Sequence, residues 1–400
     1  MENNKVIVIG GGYGGLCAIE HLTTHPNTDI TLIDKNPYHY LQTELYGYIA
    51  GKINIDDIAI DLQHWSHGFT NVNFLQKEVT DIDFDTQSIV MGEENISYDY
   101  LIIATGARTH FFSFINGLEQ HAHGIKTLHR AYEFRRTFEN TIYHTLEDEI
   151  TSPINIVIGG AGLSGVEIAA EMAHVIQSYS KTIGTKTTMI QIYLIDAAET
   201  ILPGMDAYLI KQTYKRLNNL NIIMLTDTKI VEVDEKYIYL SEKDALAYAF
   251  VVFTGGIMAQ TPGKSNAVEK NRFNQYIPTA TLNIGEYETV FAIGDCAEIH
   301  DKHGDILAPT AQLAEKSAIY VAKAIKSHSK KEKVTAFNTS TKGVFIALGG
   351  RYAVGQIYHY IKVKGYGAYL LKKTLASLYY LGLKLRINTG FKNRIREGPT

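Results

Sequence analysis

Two glycine hexads carry the most legible chemistry in this chain. Gly10, Gly12 and Gly15 fill the three glycine places of G-x-G-x-x-G within Gly10-Gly-Gly-Tyr-Gly-Gly15. The first place permits a tight turn, the second lets backbone approach a pyrophosphate, and the third lets a helix pack on a strand. A bare hexad is weak evidence, but here it follows the buried-strand run Lys5-Val-Ile-Val-Ile9 and opens a helical pattern that continues through Leu22. A second strand, Ile30-Thr-Leu-Ile33, ends at Asp34, about the spacing at which an acid meets a ribose. The construction then recurs. Ile154-Asn-Ile-Val-Ile158 leads into Gly160, Gly162 and Gly165, a helix runs from Val166 toward Gln177, and a strand from Met189 to Ile195 terminates at Asp196. Two matches in full context imply two bound dinucleotides. Ala197 and Ala198 follow Asp196 with no arginine to pair a 2′-phosphate, which favours NADH over NADPH.

The elements that must position these turns are strands ending in glycine. Tyr98-Asp-Tyr-Leu-Ile-Ile-Ala-Thr-Gly106 is a point where a first fold can hand the chain to a second, and Phe250-Val-Val-Phe-Thr-Gly-Gly256 and Thr289-Val-Phe-Ala-Ile-Gly-Asp295 read as further buried strands. Four hundred residues suit two domains and an appendage. With 45% apolar and 20% charged residues, neither a disordered tract nor a low-complexity segment is expected. Cys17 and Cys296 are the only cysteines, too few for a disulfide framework or a cysteine-built zinc site. His300-Asp-Lys-His-Gly-Asp305 and the pair His121 and His123 read as polar turns, so no metal is expected. The chain starts into a strand with no basic leader, which reads as no secretory signal.

Charge is distributed unevenly. The net charge is −4, yet residues 351–400 hold ten Lys or Arg against the single acid Glu397, so the tail carries +9 and the preceding 350 residues carry −13. An acidic body argues against a nucleic-acid partner, and a basic tail suggests an anionic one. On a helical wheel Leu370, Leu371, Leu375, Leu378, Leu381 and Leu385 share one arc; Lys372, Lys373, Lys384, Arg386, Tyr366, Tyr369, Tyr379 and Tyr380 occupy the remainder, with Leu383 as the exception. The segment is too interrupted by charge to span a bilayer. It suits an in-plane helix on an anionic leaflet. Packing of the leucine stripe on the protein body or on a second subunit is the alternative.

The order of these motifs resembles the two-dinucleotide flavoprotein superfamily, and more closely the type II NADH:quinone oxidoreductases. Gly10-Gly-Gly-Tyr-Gly-Gly15, Asp34, Ala104-Thr-Gly106, Gly160-Ala-Gly-Leu-Ser-Gly-Val-Glu167 and Ile293-Gly-Asp-Cys-Ala297 carry the broader resemblance. Asn36-Pro-Tyr-His-Tyr40, Thr310-Ala-Gln-Leu-Ala314, Gly350-Arg-Tyr-Ala-Val-Gly355 and the basic, aromatic C-terminus carry the narrower one. The resemblance implies FAD held by Gly10, Gly12, Gly14, Gly15, Asp34, Lys35, Thr105, Gly106, Asp295, Ala311 and Gln312. It implies NADH held by Gly160, Gly162, Gly165, Glu167, Asp196 and Gly255. Glu171, four residues after Glu167 on the same helix face, is placed near both cofactors. Gln312 is placed at the flavin edge and quinone entrance, where the helix dipole opening at Thr310 favours negative charge. The family's second glutamine is Lys316 here, a change of charge and reach that bears on quinone preference. Glu171, Gln312 and Lys316 are the candidates for relaying protons or orienting the acceptor.

The fold expected is α/β: two Rossmann-type domains, an FAD-binding one over 1–118 and 285–345 interrupted by an NADH-binding one over 119–284, and a C-terminal amphipathic, membrane-facing helical segment over 346–400. The expected reaction is transfer from NADH through FAD to a membrane quinone of a respiratory chain, at the cytoplasmic face of the cell membrane. Two rivals stay open: a soluble NADH oxidoreductase feeding oxygen, a dye or a redox protein, and a non-catalytic FAD- and NADH-binding sensor. The two cysteines lack the pairing a disulfide reductase needs, and the resemblance sets sulfide oxidation aside for the same reason.

Overall fold

In a computed structural model of the chain, described for residues 3–25, 27–147, 154–183, 190–242, 244–263, 268–340, 343–358 and 360–387, the first glycine hexad joins strand Asn4–Ile9 to helix α1 (Tyr13–Leu22). Val6, Ile7, Val8 and Ile9 are buried, as a strand covered on both faces requires. This strand lies at the centre of a six-stranded sheet, parallel to Thr28–Asp34 on one side and to Tyr100–Ile103 on the other. Val72–Gln76 extends the sheet beyond Thr28–Asp34; Tyr287–Ala292 and then Asn283–Ile284 extend it beyond Tyr100–Ile103. A short helix α2 (Leu45–Ile49) packs against the helix that follows the second glycine turn.

The second hexad repeats the plan. Strand Ile154–Gly159 leads into helix α3 (Leu163–Ile183) and sits between the parallel strands Ile190–Ile195 and Phe250–Phe253. Ile223–Leu225 and Ala122–His123 close the two ends of this five-stranded sheet. In both sheets the glycine-turn strand therefore stands beside the strand carrying the acid, at the point where strand order reverses and a crevice opens. The chain leaves the first sheet and returns to it through one antiparallel pair, Ala107–Thr109 with Ile257–Ala259. Residues 268–284 pack on the first sheet, with the Tyr276 N–H donating to the Cys296 carbonyl at 2.9 Å.

Helix α4 (Ala311–Ser329) returns the chain across α1. A three-stranded antiparallel sheet follows, Gly343–Ala347, Ala353–Ile357 and Ile361–Gly365, which the hydrophobic pattern did not single out. It leads into helix α5 (Tyr366–Ile387). The α5 face that packs on the body is polar. Lys372 pairs with Glu167 at 2.7 Å, Lys373 with Glu44 at 2.6 Å and Arg386 with Glu20 at 2.9 Å, while the Tyr380 hydroxyl donates to the Asp56 carbonyl at 2.5 Å. Among its described side chains only Ala368 and Leu383 are buried apolar residues. Leu370, Leu371, Leu375, Leu378, Leu381 and Leu385 are all exposed, from 41% to 61%.

Leu383, the one leucine off the stripe, is the one that points inward. The stripe does not pack on the chain's own body. The basic flank corrects its sequence reading, because Lys372, Lys373 and Arg386 face carboxylates of the body instead of solvent. A leucine face turned out and a charged face turned in is the reverse of an ordinary surface helix. Residues 388–400, which hold three more of the basic residues, lie outside those described. No helix among the described residues is long and apolar enough to cross a membrane.

Candidate active site

The glycine turns separate what the polypeptide needs from what a ligand needs. Gly10 has φ +105°, and a Cβ there would lie 2.4 Å from the Ala104 carbonyl oxygen; a Cβ on Gly15 would lie 1.9 Å from the Gly10 oxygen. Both glycines are forced by backbone passing backbone. Gly12 is not: its φ of −83° suits any residue, and a Cβ there would meet nothing within 4 Å. The second turn is built alike. Gly160 has φ +103° and faces the Gly255 nitrogen at 2.6 Å, Gly165 faces the Gly160 oxygen at 1.9 Å, and Gly162 faces open space. A glycine that the fold does not require, at the mouth of a helix N-terminus, keeps room for a group that must touch backbone amides.

The two acids are held identically. Asp34 accepts the Gly11 N–H at 2.7 Å and the Asn36 N–H at 2.8 Å; Asp196 accepts the Ala161 N–H at 2.5 Å and the Ala198 N–H at 2.8 Å. Each carboxylate thus braces its glycine turn and stands at the crevice edge. Burial raises the Asp34 carboxyl pKa, with the two N–H donors opposing. These residues fit a dinucleotide in each half.

Two cavities meet over the first turn. One, of about 660 Å³, is lined by Gly10, Gly12, Asp34, Lys35, Thr105 and Gly106 among others. The other, of about 900 Å³, is lined by Gly12, Gly14, Gly106, Asp295, Ala311, Gln312, Lys316 and Glu167. Gly12, Tyr40, Gln42, Gly106 and Lys126 belong to both walls, so the two cavities adjoin there. At this junction the Lys126 ammonium lies 3.3 Å from an Asp295 carboxylate oxygen and 3.3 Å from the Gln42 side-chain oxygen. Sequence reasoning missed Lys126 and Gln42. Lys126 and Asp295 are 169 residues apart, and no spacing rule links them.

The larger cavity joins the two halves. Leu163 and Ser164, directly after Gly162, line it, as do Gly204, Met205 and Asp206. On the opposite side helix α4 opens at Thr310, whose hydroxyl accepts the Leu313 N–H at 3.1 Å, and presents Ala311 and Gln312 to the space. Lys316 lines it one turn further on and donates to the Ser340 carbonyl. Glu167 accepts from Lys372 and, at 2.9 Å, from the Ala347 N–H, so α5 contributes Lys372 to the wall.

Glu171 is not brought there. It is 2% exposed, paired with Lys52 and accepting the Gly350 N–H at 3.2 Å. Sharing a helix face with Glu167 puts it one turn deeper, beneath α2 and the Gly349–Gly350 turn, where it anchors structure. Gly15, Gly160, Gly162, Gly165, Asp196 and Gly255 line neither cavity. Gly255 passes against Gly160 and lets the returning strand approach the turn.

His39 underlies the first turn. It is 1% exposed, and a ring nitrogen, Nδ1, lies 2.9 Å from the Gly11 carbonyl oxygen, which can only accept. Burial pushes its pKa down to about 4, so the ring is neutral with its proton on Nδ1.

The sequence model of the pyridine nucleotide-disulphide oxidoreductase family matches residues 4–318. A type II NADH:quinone oxidoreductase of Staphylococcus aureus strain MSSA476 is 29% identical over 383 residues, covering 94% of each chain. Among solved structures, NDH2 of Plasmodium falciparum superposes in complexes with RYL-552 and with NADH at TM-scores of 0.85 and 0.83. These are 21% and 20% identical, and both cover 96% of this chain and 97% of that one. The sulfide:quinone oxidoreductase of Aquifex aeolicus superposes at 0.82 with 19% identity, covering 98% and 95%. Cys17 and Cys296 line neither cavity here. Burial pushes the Cys17 thiol up to about 12, and Cys296 is fully buried, so neither is poised as a nucleophile.

Gly12→Ala should leave urea unfolding of the cofactor-free protein within about 0.5 kcal/mol of wild type while abolishing dinucleotide retention. Gly15→Ala, whose methyl meets a carbonyl oxygen, should cost roughly 2 kcal/mol or more. Equal losses of stability would refute the distinction. A second expectation concerns acid. Between pH 6.5 and about 4 the unfolded chain protonates the histidine that the folded chain keeps neutral. Stability is therefore full above pH 6.5 and falls toward pH 4, by roughly 3 kcal/mol in all for this group. Unfolding of His39→Asn across that window should show a shallower decline than wild type.

Proposed function

The chain belongs to the pyridine nucleotide-disulphide oxidoreductase family, and on that premise we propose that it is a type II NADH:quinone oxidoreductase, with FAD as its bound cofactor. The observation that carries this reading is the cavity wall that joins Gly12 and Asp295 of the first fold to Ser164 and Glu167 of the second, with one face left to Gln312, Lys316, Thr339, Ser340 and Phe345. The named relative from Staphylococcus aureus and the NADH complex of the Plasmodium enzyme support the same chemistry.

In this reading Gly10, Gly12 and Asp34 hold the diphosphate and ribose of FAD, with Lys35, Thr105 and Gly106 along the same wall. Lys126 and Asp295 sit where the two cavities meet, and Ala311 and Gln312 bring the positive end of a helix to the larger one. Gly160, Gly162, Gly165 and Asp196 hold NADH, whose reactive end enters past Ser164 and Glu167. When bound, the flavin supplies the two-electron chemistry, accepting from NADH and delivering to the quinone. The protein aligns donor and acceptor and excludes water.

A quinone also takes up protons, and Lys316, Lys372 and Glu167 are ionisable groups lining the space. Lys372 Nζ donates to Glu167 Oε1, so this pair holds a proton in a hydrogen bond at the wall. Glu171 stays outside the reaction, and Gln312 orients the acceptor.

The exposed leucines of α5 support a membrane seat, because a quinone dissolves in lipid and the same helix supplies Lys372 to the cavity. We place the protein on the cytoplasmic face of the cell membrane, without a spanning helix. Lys384, exposed and stacked over Tyr380 at 4.5 Å, remains to meet anionic headgroups. A homodimer through the same face would hide the leucines from lipid.

Anaerobic mixing of the purified yellow protein with NADH should bleach the flavin band within the turnover time, and a quinone should restore it. A colourless protein, or a band that persists, overturns the reading; reoxidation by oxygen or a dye but not by quinone restricts it to a soluble oxidoreductase. Replacing Leu371, Leu375 and Leu378 together with glutamine should lower binding to anionic lipid vesicles about tenfold or more, with circular dichroism unchanged. Unaltered binding, or a triple variant that instead turns a dimer into a monomer, would remove lipid as the partner of this face.

A further inference from the structure

Helix α5 reaches the first glycine turn as well as the cavity. The Tyr379 hydroxyl lies 3.2 Å from His39 Nε2, and the Tyr379 ring stacks on Tyr13 with centroids 5.1 Å apart and planes at 28°. His39 lies edge-on to Tyr13 at 5.0 Å. Tyr13 directly follows Gly12, and its hydroxyl is 2.8 Å from the Thr43 hydroxyl.

Donor and acceptor roles along this line are fixed by elimination. The Gly11 carbonyl accepts, so His39 Nδ1 carries the proton; the neutral ring then leaves Nε2 as an acceptor, and Tyr379 must donate to it. Gly11 is gripped on both sides, the N–H of its preceding peptide by Asp34 and the carbonyl of its following peptide by His39. In a trans peptide the Gly11 carbonyl and the Gly12 N–H point in opposite directions. Fixing the carbonyl against His39 therefore fixes the direction of the Gly12 N–H, at a residue common to both cavity walls, where no side chain is required.

We propose that Tyr379 is a positioning residue for the FAD diphosphate: through its hydroxyl it sets the His39 ring, and through that ring the orientation of the Gly11–Gly12 peptide. The outward-leucine helix and the cofactor turn are one mechanical unit. The inference rests on the FAD reading above and goes beyond it, since it assigns a cofactor-retaining role to a residue 367 positions from the turn in a segment with no glycine motif of its own.

The test is a two-by-two comparison of FAD dissociation constants for the full-length protein, read by flavin fluorescence during resolution and reconstitution. Tyr379→Phe keeps the stack on Tyr13 and removes the donor. It should weaken FAD about tenfold in the wild-type background, as loss of one hydrogen bond in a buried line does. His39→Asn keeps an N–H donor near the Nδ1 position but has no Nε2, so in that background Tyr379→Phe should cause no further loss. Equal weakening in both backgrounds would show that the Tyr379 hydroxyl acts by a route other than His39, and no weakening in the wild-type background would show that it does not act on the cofactor; either overturns the proposal. Wild-type protein that takes up no FAD would overturn the functional reading itself.

Discussion

A helix can aim its first amides at the end of a strand only if the two backbones almost touch. In this chain that approach is made twice by glycines: Gly15 against the Gly10 oxygen and Gly165 against the Gly160 oxygen, each leaving 1.9 Å for a Cβ that is not there. From that contact follow the direction of α1 and α3, the position of the open glycines Gly12 and Gly162, and the crevice beside Asp34 and Asp196. The partial positive charge of each helix start then faces a space that its open glycine, Gly12 or Gly162, keeps free of a side chain.

The two halves are also made to face one another. Ala107–Thr109 pairs with Ile257–Ala259, so the outgoing and returning chains form a single hinge-like ribbon beside Gly106 and Gly255. The consequence is a cavity whose walls come from both folds, with Ser164 and Glu167 opposite Asp295 and Gln312. A chemistry that needs two dinucleotides within contact of each other requires that juxtaposition more than it requires any acid, base or nucleophile.

Helix α5 is fastened by charge where most helices are fastened by apolar packing. Its pairs with Glu167, Glu44 and Glu20 are partly shielded from water, and removing either member of such a pair leaves the other poorly solvated. The leucines are thereby left exposed, and Lys372 and Tyr379 carry the helix's placement to the cavity wall and to the turn under Gly11. The outward leucine face and the contacts to the cavity wall and the glycine turn share one element.

The sequence alone determined both dinucleotide turns, their acids, the α/β order and the leucine arc, because each is written in residues close together along the chain and obeys the period of a helix or strand. It also supplied Gln312 and Glu167 through motif resemblance, and both line the cavity. It could not place Glu171, which shares Glu167's helix face yet lies one turn too deep, since depth is set by α2 and the Gly349–Gly350 turn packing over it. Nor could it find Lys126 or the inward turn of Lys372, Lys373 and Arg386, whose carboxylate partners stand 169 to 366 residues away. A helical wheel shows which residues share a face, and only the tertiary structure shows what that face meets. Here partly shielded carboxylates drew the basic side inward, and the leucines were left outside.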